Sequence, residues 1–585
     1  MLGSNKKKIN PLLIVPLTAL IIGPGLHDVN GLPKLMSLAV GTLILILMYP
    51  KYLKISSKIV YLPWAMVLSY GIIQLFQLND LNSFLLGSYM RNGGYVSLIC
   101  LALIITVISN LPINEVYYFK SILLITVCGL ILYAILDFFD LLPYETVLNY
   151  QGALTLTLTN SNFASAYLGI AASGLLTQII FSRQRSFSYI LILTVILFLL
   201  FETHSLQGFL VLFVTCFICI LYDRDRIIPR IIKFKKISFV IFLTSCLIFI
   251  INLSSISSWF IANGSVKQRL SYWNLSLNIW QDNFITGVGL DNLRNFSTRY
   301  RTIELVKQEG LFVAPDRSHN VILDHFVNGG VFSGLFWSSF IVIISILALK
   351  NLIFKKNDLN SHNFIFVSVC WFGYLVQSLI SVDHISLTVI GFISGGFIIA
   401  HNRENNGLQN SNFNLITKTK TITLGATIFL FFLFSFFAVK ILEYEYNAYQ
   451  YLINNDSNAL QNVYSSKYVV AQTLEDVAVK VSQAKDFNNA YLLANKLLKH
   501  DPTSHQAYYM RAVYYESQNN LSQAKIEMKK ALEIDQYNSV YLVGMAVLDF
   551  NLGDFRSSRD YLNKAISINP NQQGIDIVKN LLKEE

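Results

Sequence analysis

The chain has 585 residues, of which 53% are hydrophobic and 14% charged, with a mean hydropathy of +0.48. Soluble domains carry roughly 25% charged residues, so these values exclude a soluble enzyme, a disordered chain and a fibrous one, and the recurrence of apolar runs excludes a single-anchor protein. The net charge of +10 is unevenly shared: from Glu443 onward 17 acidic side chains face 14 basic ones, which leaves the basic excess to the apolar part, where it reports cytoplasmic loops rather than nucleic-acid binding.

A spanning helix needs about 20 mostly apolar residues, and by that measure the sequence predicts an all-α, polytopic membrane protein of about thirteen spans. They begin near Pro11, Pro33, Ile59, Gly94, Phe119, Phe163, Tyr189, Leu206, Ile237, Val327, Asn363, Ser386 and Thr421. The first follows Lys6, Lys7 and Lys8. Pro16 and Gly23-Pro24-Gly25 interrupt it and no small-residue cleavage site follows, so it reads as a helix and not as a cleaved signal. The six cysteines all fall in apolar runs. Cys216 and Cys219 form a C-x-x-C inside lipid-type sequence, which reads as buried helix rather than a redox or metal site.

Basic residues concentrate in alternate short loops: Lys51, Lys54 and Lys58, then Arg183 and Arg185, then Arg224 to Lys236, then Lys350, Lys355 and Lys356, then Arg403, Lys418 and Lys420. With the N-terminus in the cytoplasm this alternation keeps step from end to end. It places the long loop, residues 253–318, on the outer side, together with everything after the last span near Lys440. The expected division is a membrane domain over 1–442 and an outer, soluble domain over 443–585.

The soluble tail carries an internal repeat. Asp501, Asp535 and Asn569 are spaced by 34 residues, as are Phe487, Leu521 and Phe555, and Ala490, Ala524 and Ser558. This period, with small residues at helix crossings, resembles tetratricopeptide repeats. Each repeat is a helical hairpin that buries its apolar face by stacking on the next. The sequence predicts about three good repeats, a degenerate stretch over 444–470 and a closing helix near Ile575. Such repeats bind proteins or peptides, so a periplasmic protein partner is expected here.

An ionisable residue inside a membrane domain is expensive and therefore a functional candidate. The predicted topology puts Arg91, Asp137, Asp140, Glu202, His204, Asp383 and His384 at outward ends of spans. Arg269, Arg294, Asp316, Arg317, His319, Asp324 and His325 fall in or beside the outer loop. A polar chamber at the outer face gathers them all; contact with lipid headgroups accounts for any one of them but not for the set.

Four stretches go beyond charge. Gly87-Ser88-Tyr89-Met90-Arg91-Asn92-Gly93-Gly94 opens one span and Thr159-Asn160-Ser161-Asn162-Phe163 another. Arg269-Leu270-Ser271-Tyr272-Trp273 and Thr286-Gly287-Val288-Gly289 lie in the loop, and Asp316-Arg317-Ser318-His319-Asn320 leads back into the membrane towards Gly329-Gly330. Together, over residues 91–396, these elements resemble the superfamily of O-antigen ligases, O-antigen polymerases and bacterial protein O-oligosaccharyltransferases. Each motif is weak alone and specific as an ordered set. A tetratricopeptide tail occurs in some members.

The resemblance implies a GT-C-type membrane glycosyltransferase with no cofactor and no metal. A glycan on undecaprenyl pyrophosphate would be attacked at the outer face of the inner membrane by a hydroxyl of an acceptor glycolipid or protein. Arginines would hold the pyrophosphate, because a guanidinium fork pairs bidentately with phosphate oxygens and keeps its charge when buried. The implied catalytic residues are Arg269 and His319, with Arg91 a second pyrophosphate contact. Packing or capping is the structural alternative for His319. Asn320 is expected to fix a turn, and Asn160, Asn162 and Asp383 to support the site. Where the family often has Ser-Arg-Gly, this chain has Ser205-Leu206-Gln207-Gly208, leaving Gln207, His204, Arg294 or Arg317 to make that contact. Trp273 and Trp280 share a helix face and either stack on sugars or pack in the core.

Ligase-type transfer is the first reading, to lipid A core or to protein serine or threonine, and polymerisation of repeat units the second. Two other classes remain: a lipid-linked glycan transporter, against which the one-sided polar residues argue, and a non-catalytic scaffold, in which His319 and Arg269 would tolerate replacement.

Overall fold

The computed structural model describes residues 10–77, 80–142, 152–181, 187–222, 264–311, 313–354, 361–405 and 417–583. Every regular element among them is helical. Seven described helices are long and apolar enough to cross a membrane: Gly31–Met48, Lys58–Gln77, Ile113–Phe138, Ser161–Phe181, Val321–Ile353, His362–Ile380 and Ile385–Asn405. Shorter apolar helices, Tyr95–Ile108, Phe187–Glu202 and Gln207–Tyr222, complete the bundle. Ile385–Asn405 is its central post, buried almost throughout its first seventeen residues. The chain is thus a multi-pass membrane protein.

The first predicted span differs from expectation. The helix there, Ile14–Leu20, has 7 residues, about 10 Å at 1.5 Å per residue, too short to cross alone. It stops ahead of Gly23 and Pro24, and the buried Lys34 ammonium donates to the carbonyls of Thr18 (2.9 Å), Ala19 (3.2 Å) and Ile21 (3.3 Å) at its end. The span predicted near Ile237 lies outside the described residues. The one predicted near Thr421 falls in a single helix, Thr417–Asn454, which runs on past Lys440 without a break.

Two glycine motifs of the sequence meet in space. Gly330 interrupts the long helix Val321–Ile353 with φ 63° and ψ −167°. The turn at Gly287 docks into that kink: Val288 N–H donates to Val327 O and Gly289 N–H to Asn328 O, both at 2.9 Å, and Val331 N–H donates to Phe284 O at 2.9 Å. A Cβ on Gly330 would stand 1.9 Å from Ile285 O, and one on Gly287 2.4 Å from Val327 O. Both positions also have positive φ, so only glycine fits without strain.

The tail forms the expected hairpins. Phe487–His500, Leu521–Ile534 and Phe555–Ile568 repeat at 34-residue steps, as do Ala471–Gln483, His505–Ser517 and Ser539–Asn551. Asp486, Asn520 and Asp554 cap the first set, each side chain accepting from the backbone N–H three residues on. Ala490, Ala524 and Ser558 are buried at the crossings, and Ile575–Leu581 closes the stack.

The loop between the membrane helices folds as Gly264–Asp282, Leu293–Tyr300 and Ile303–Glu309. It is fused to the repeats. The Arg301 guanidinium pairs with Asp535 at 2.6 Å, with 2% and 1% of the two side chains exposed, and it donates to Leu311 O and Val313 O at 2.9 Å. Val306 packs with Leu542, Leu562 and Ile575. Further bonds tie the tail to the membrane part, among them His27–Asp476 (3.0 Å), His500–Asp80 (2.7 Å), Asn82 to Val469 O (3.0 Å) and Asp28 N–H to Glu445 (3.0 Å).

Candidate functional site

The site is built around a carboxylate. Asp291 follows the Gly-Val-Gly turn, which the kinked helix fixes in place. One of its oxygens accepts from the N–H groups of Ser88 (2.7 Å) and Gly93 (3.2 Å). The 87–94 loop wraps around it so closely that a Cβ on Gly87, at φ 91°, would stand 2.4 Å from that oxygen. The other oxygen pairs with the Arg317 guanidinium at 2.5 Å, the carboxylate side chain being 0% exposed and the arginine 10%. In the same loop, Arg91 Nε pairs with Asp316 at 2.6 Å. Two elements far apart in sequence, the 87–94 loop and the segment at Asp316 and Arg317, thus present two guanidiniums to one cavity, each with its own carboxylate.

Phe163, the aromatic of the Asn-x-Asn-Phe motif, lies beneath Arg91, with the guanidinium carbon 5.9 Å from the ring centroid. Its other neighbour is the His384 ring at 4.8 Å. Asn160 and Asn162 build the junction that holds it. Asn160 accepts from Asn162 N–H at 2.8 Å, and Asn162 accepts from the Ser205 hydroxyl at 2.8 Å. The turn that departs from the family pattern is therefore adjacent to this motif. Within it Gln207 is buried, with neither amide atom bonded to a described group, whereas His204 is exposed.

Arg91, Arg317, Asp324, His325 and Asp383 line a cavity of about 60 Å³, closed on other sides by Leu38, Leu98 and Trp337. Tyr70 reaches it and bonds His325 at 3.0 Å. Several buried polar atoms here have no partner among the described residues: Arg317 Nε, Asp324 Oδ2, Asn92 Oδ1 and His319 Nδ1. Leaving such groups unpaired costs about 1–3 kcal/mol each, so their concentration in one place marks a site that a ligand or water completes.

His319 sits at the mouth of this region rather than in the cavity wall. It takes φ 55°, and Asn320 behind it caps the next helix by accepting from Leu323 N–H at 3.1 Å and donates to Leu379 O at 3.2 Å. The turn predicted for Asn320 is thus a helix cap. Tyr272 faces the His319 ring at 5.4 Å. Ser318 next to it donates its N–H to Asp324 at 2.6 Å and accepts from the Ser276 hydroxyl at 2.8 Å.

Burial pushes the His319 pKa down to about 4; the fields of Arg91 and Arg269 add to this and Asp316 opposes it. The imidazole is therefore neutral at pH 7. Burial works against the charge of Asp316, but Arg91 overcomes it and holds the carboxyl at about 2. Burial raises Asp383 to about 7, with Asp324 adding to the shift and Arg317 opposing it. Burial alone lowers Arg269.

The structure thus brings Arg91, Arg317, His319 and Asp383 to one end of the bundle, and the field of Arg269 reaches His319 from the helix Gly264–Asp282. It does not bring Arg294 there: that side chain lines a separate cleft beside the repeats. Trp280 packs on Phe284 and Phe326, with both ring centroids at 5.0 Å, so it belongs to the core between the loop and the kinked helix. Sequence reasoning missed Asp291 as the hub. The signal available was its position directly after a glycine turn.

Comparison with known families gives two matches. The family model described as O-antigen ligase matches residues 152–338, a stretch that includes the Asn-x-Asn-Phe motif, Arg269, Asp291, Arg317, His319 and Gly330. Arg91 and Asp383 lie outside it and are joined to it by the contacts above. The tetratricopeptide repeat model matches residues 505–538 and 541–572. The hairpin formed by Ala471–Gln483 and Phe487–His500 extends the stack by one unit beyond that match. No curated protein matches the chain.

Proposed function

We propose that the chain is a bacterial inner-membrane glycosyltransferase of ligase type. It moves a glycan from undecaprenyl pyrophosphate to an acceptor hydroxyl, on lipid A core or on protein, at the outer face. Residues 1–442 are the enzyme and 443–585 a periplasmic repeat domain. One observation carries the reading: Arg91 and Arg317, each paired with its own carboxylate, line one cavity beside a histidine that feels the fields of Arg91 and Arg269 and is neutral at pH 7. The match of residues 152–338 to the O-antigen ligase family supports it.

In this reading Arg91, Arg269 and Arg317 hold the pyrophosphate and stabilise the charge that builds on it as the glycosidic bond breaks. His319 accepts the proton of the acceptor hydroxyl while that oxygen bonds the anomeric carbon, and the lipid pyrophosphate departs. The electrostatics suit the sequence of events. Burial and the two cations that face His319 depress its basicity; a bound anion cancels the cations' field, so the imidazole is a stronger base when the donor is in place.

The test is complementation of a deletion strain with wild type, His319→Ala or Arg269→Ala at matched expression, followed by analysis of lipopolysaccharide, glycoproteins and lipid-linked glycan. Both variants are expected to lose one glycoconjugate and accumulate full-length lipid-linked chains, with transfer down by roughly 10²–10⁴ for His319→Ala. Accumulation of single repeat units instead makes the enzyme a polymerase. Wild-type behaviour of both variants sinks the catalytic assignment.

A further inference from the structure

A second cleft, of about 310 Å³, lies where the membrane part, the loop and the repeats meet. That volume is at the lower end of the roughly 300–1,000 Å³ typical of ligand sites. Residues 292–296 form one wall and residues 470–475 and 499–503 the facing one, with the 87–89 turn between them. The cleft adjoins the site already described. Leu290 lines both cavities, and Asp291 stands in the wall of this one while holding Arg317 in the wall of the other.

The walls are pinned. Asp80 accepts from Ser83 N–H at 2.9 Å and pairs with His500 at 2.7 Å; Ser504 donates to Glu475 at 2.9 Å, and Thr503 to Asp501 at 2.6 Å. A preformed cleft loses little ordering entropy on binding. Its chemistry is mixed: amides and hydroxyls from Asn295, Gln472 and Thr503, aromatic rings of Phe84 and Phe296 in the lining, and charges of both signs, Arg294 and Lys499 against Glu475 and Asp501. An anion trap would carry positive charge alone, and a peptide groove would be longer and more apolar. Dense two-way hydrogen bonding beside aromatic side chains fits a hydroxyl-rich, largely uncharged ligand.

We propose that this cleft, formed jointly by the loop and the repeats, is a carbohydrate subsite that holds sugar residues leading into the pyrophosphate site. The proposal rests on the glycosyltransferase reading. It gives the repeats a direct part in substrate binding and gives Arg294 a sugar-binding role in place of a phosphate-binding one. The sugars belong either to the lipid-linked donor or to a glycosylated acceptor.

The experiment uses the purified full-length chain in detergent and, as probe, oligosaccharide released from the host's lipid-linked pool by mild acid. Saturation-transfer NMR is expected to show the glycan bound to wild type and to His319→Ala, unbound to Gln472→Trp, whose indole fills the cleft, and about tenfold weaker on Arg294→Gln, a loss of the size expected for one charged hydrogen bond. Transfer assays on the same two cleft variants then identify the source: a raised KM for the donor assigns the sugars to the donor, and a raised KM for the acceptor assigns them to the acceptor. Equal glycan binding by wild type, Gln472→Trp and Arg294→Gln overturns the proposal, whatever the transfer rates. Blockade of a serine- and threonine-containing peptide by Gln472→Trp, with no glycan signal, overturns it in favour of protein docking. Full transfer by His319→Ala and Arg269→Ala refutes the catalytic reading separately and leaves the binding result intact.

Discussion

Single residues set the chemistry of this site through their neighbours. His319 is held neutral by burial and by two arginines, with a pKa of about 4, against about 6.5 for an unperturbed histidine. A base works only when unprotonated, so kcat/KM is expected to stay flat from neutral pH down and to fall as pH drops through about 4. A break near 6.5 in a pH profile of reconstituted enzyme would contradict this. Asp291 has an equally specific consequence. Asp291→Ala leaves Arg317 buried without its partner, a change that costs about 3–5 kcal/mol. It is expected to lower the melting temperature of the detergent-solubilised chain and to raise the donor KM, while Asp137→Ala, at the C-terminal end of Ile113–Phe138 and outside the lining of both cavities, does neither. The candidate residues were legible in the sequence because charge in apolar surroundings is conspicuous. Their partners were not: nothing local says that Asp291 pairs with Arg317 rather than with Arg294, three residues away, because that choice is made by the 87–94 loop folding over it from another part of the chain.

At the scale of elements, hydrophobic runs and the 34-residue period made the helices and hairpins readable, since both are local signals. The meeting of the Gly287 turn with the Gly330 kink was not readable. Each glycine motif is nearly meaningless alone, and only the fold shows that one docks its backbone into the other. Gly330→Ala would put a Cβ against Ile285 O and add about 1–3 kcal/mol for a backbone conformation that is essentially glycine's alone. The variant is expected to insert normally in the membrane but to release the loop, which limited proteolysis between residues 264 and 311 would detect as faster cleavage. Resistance equal to wild type would mean that the interlock is not what anchors the loop. The first predicted span shows the reverse failure: its composition is apolar enough, yet Gly23-Pro24 ends the helix early and Lys34 satisfies the exposed carbonyls from a neighbouring helix.

At the scale of the whole molecule, the loop is shared property. The Arg301–Asp535 pair is as buried as any in a domain core, so the loop is held from the repeats as well as from the membrane helices. Asp535→Ala is expected to destabilise the loop by about 3–5 kcal/mol and to reduce transfer although it lies outside both cavities. A double-mutant cycle with Arg301→Ala checks this, the combined loss being well short of the sum if the two act as a pair. The sequence announced a tetratricopeptide tail but not its target, because pairing across such a distance leaves no periodic trace. The helix Thr417–Asn454 adds a mechanical side to this. It has no hinge between the last membrane segment and the first turn of the tail, so it acts as a drive shaft whose rotational phase is fixed by residue count. One inserted residue near Lys440 turns everything beyond it by about 100° and advances it about 1.5 Å, enough to separate His27 from Asp476. Seven inserted residues restore the phase to within about 20° but lift the tail by about 10 Å. The tail's phase and height relative to the last membrane segment are therefore counted out along one helix, and the cleft that the tail shares with the loop closes only at that count.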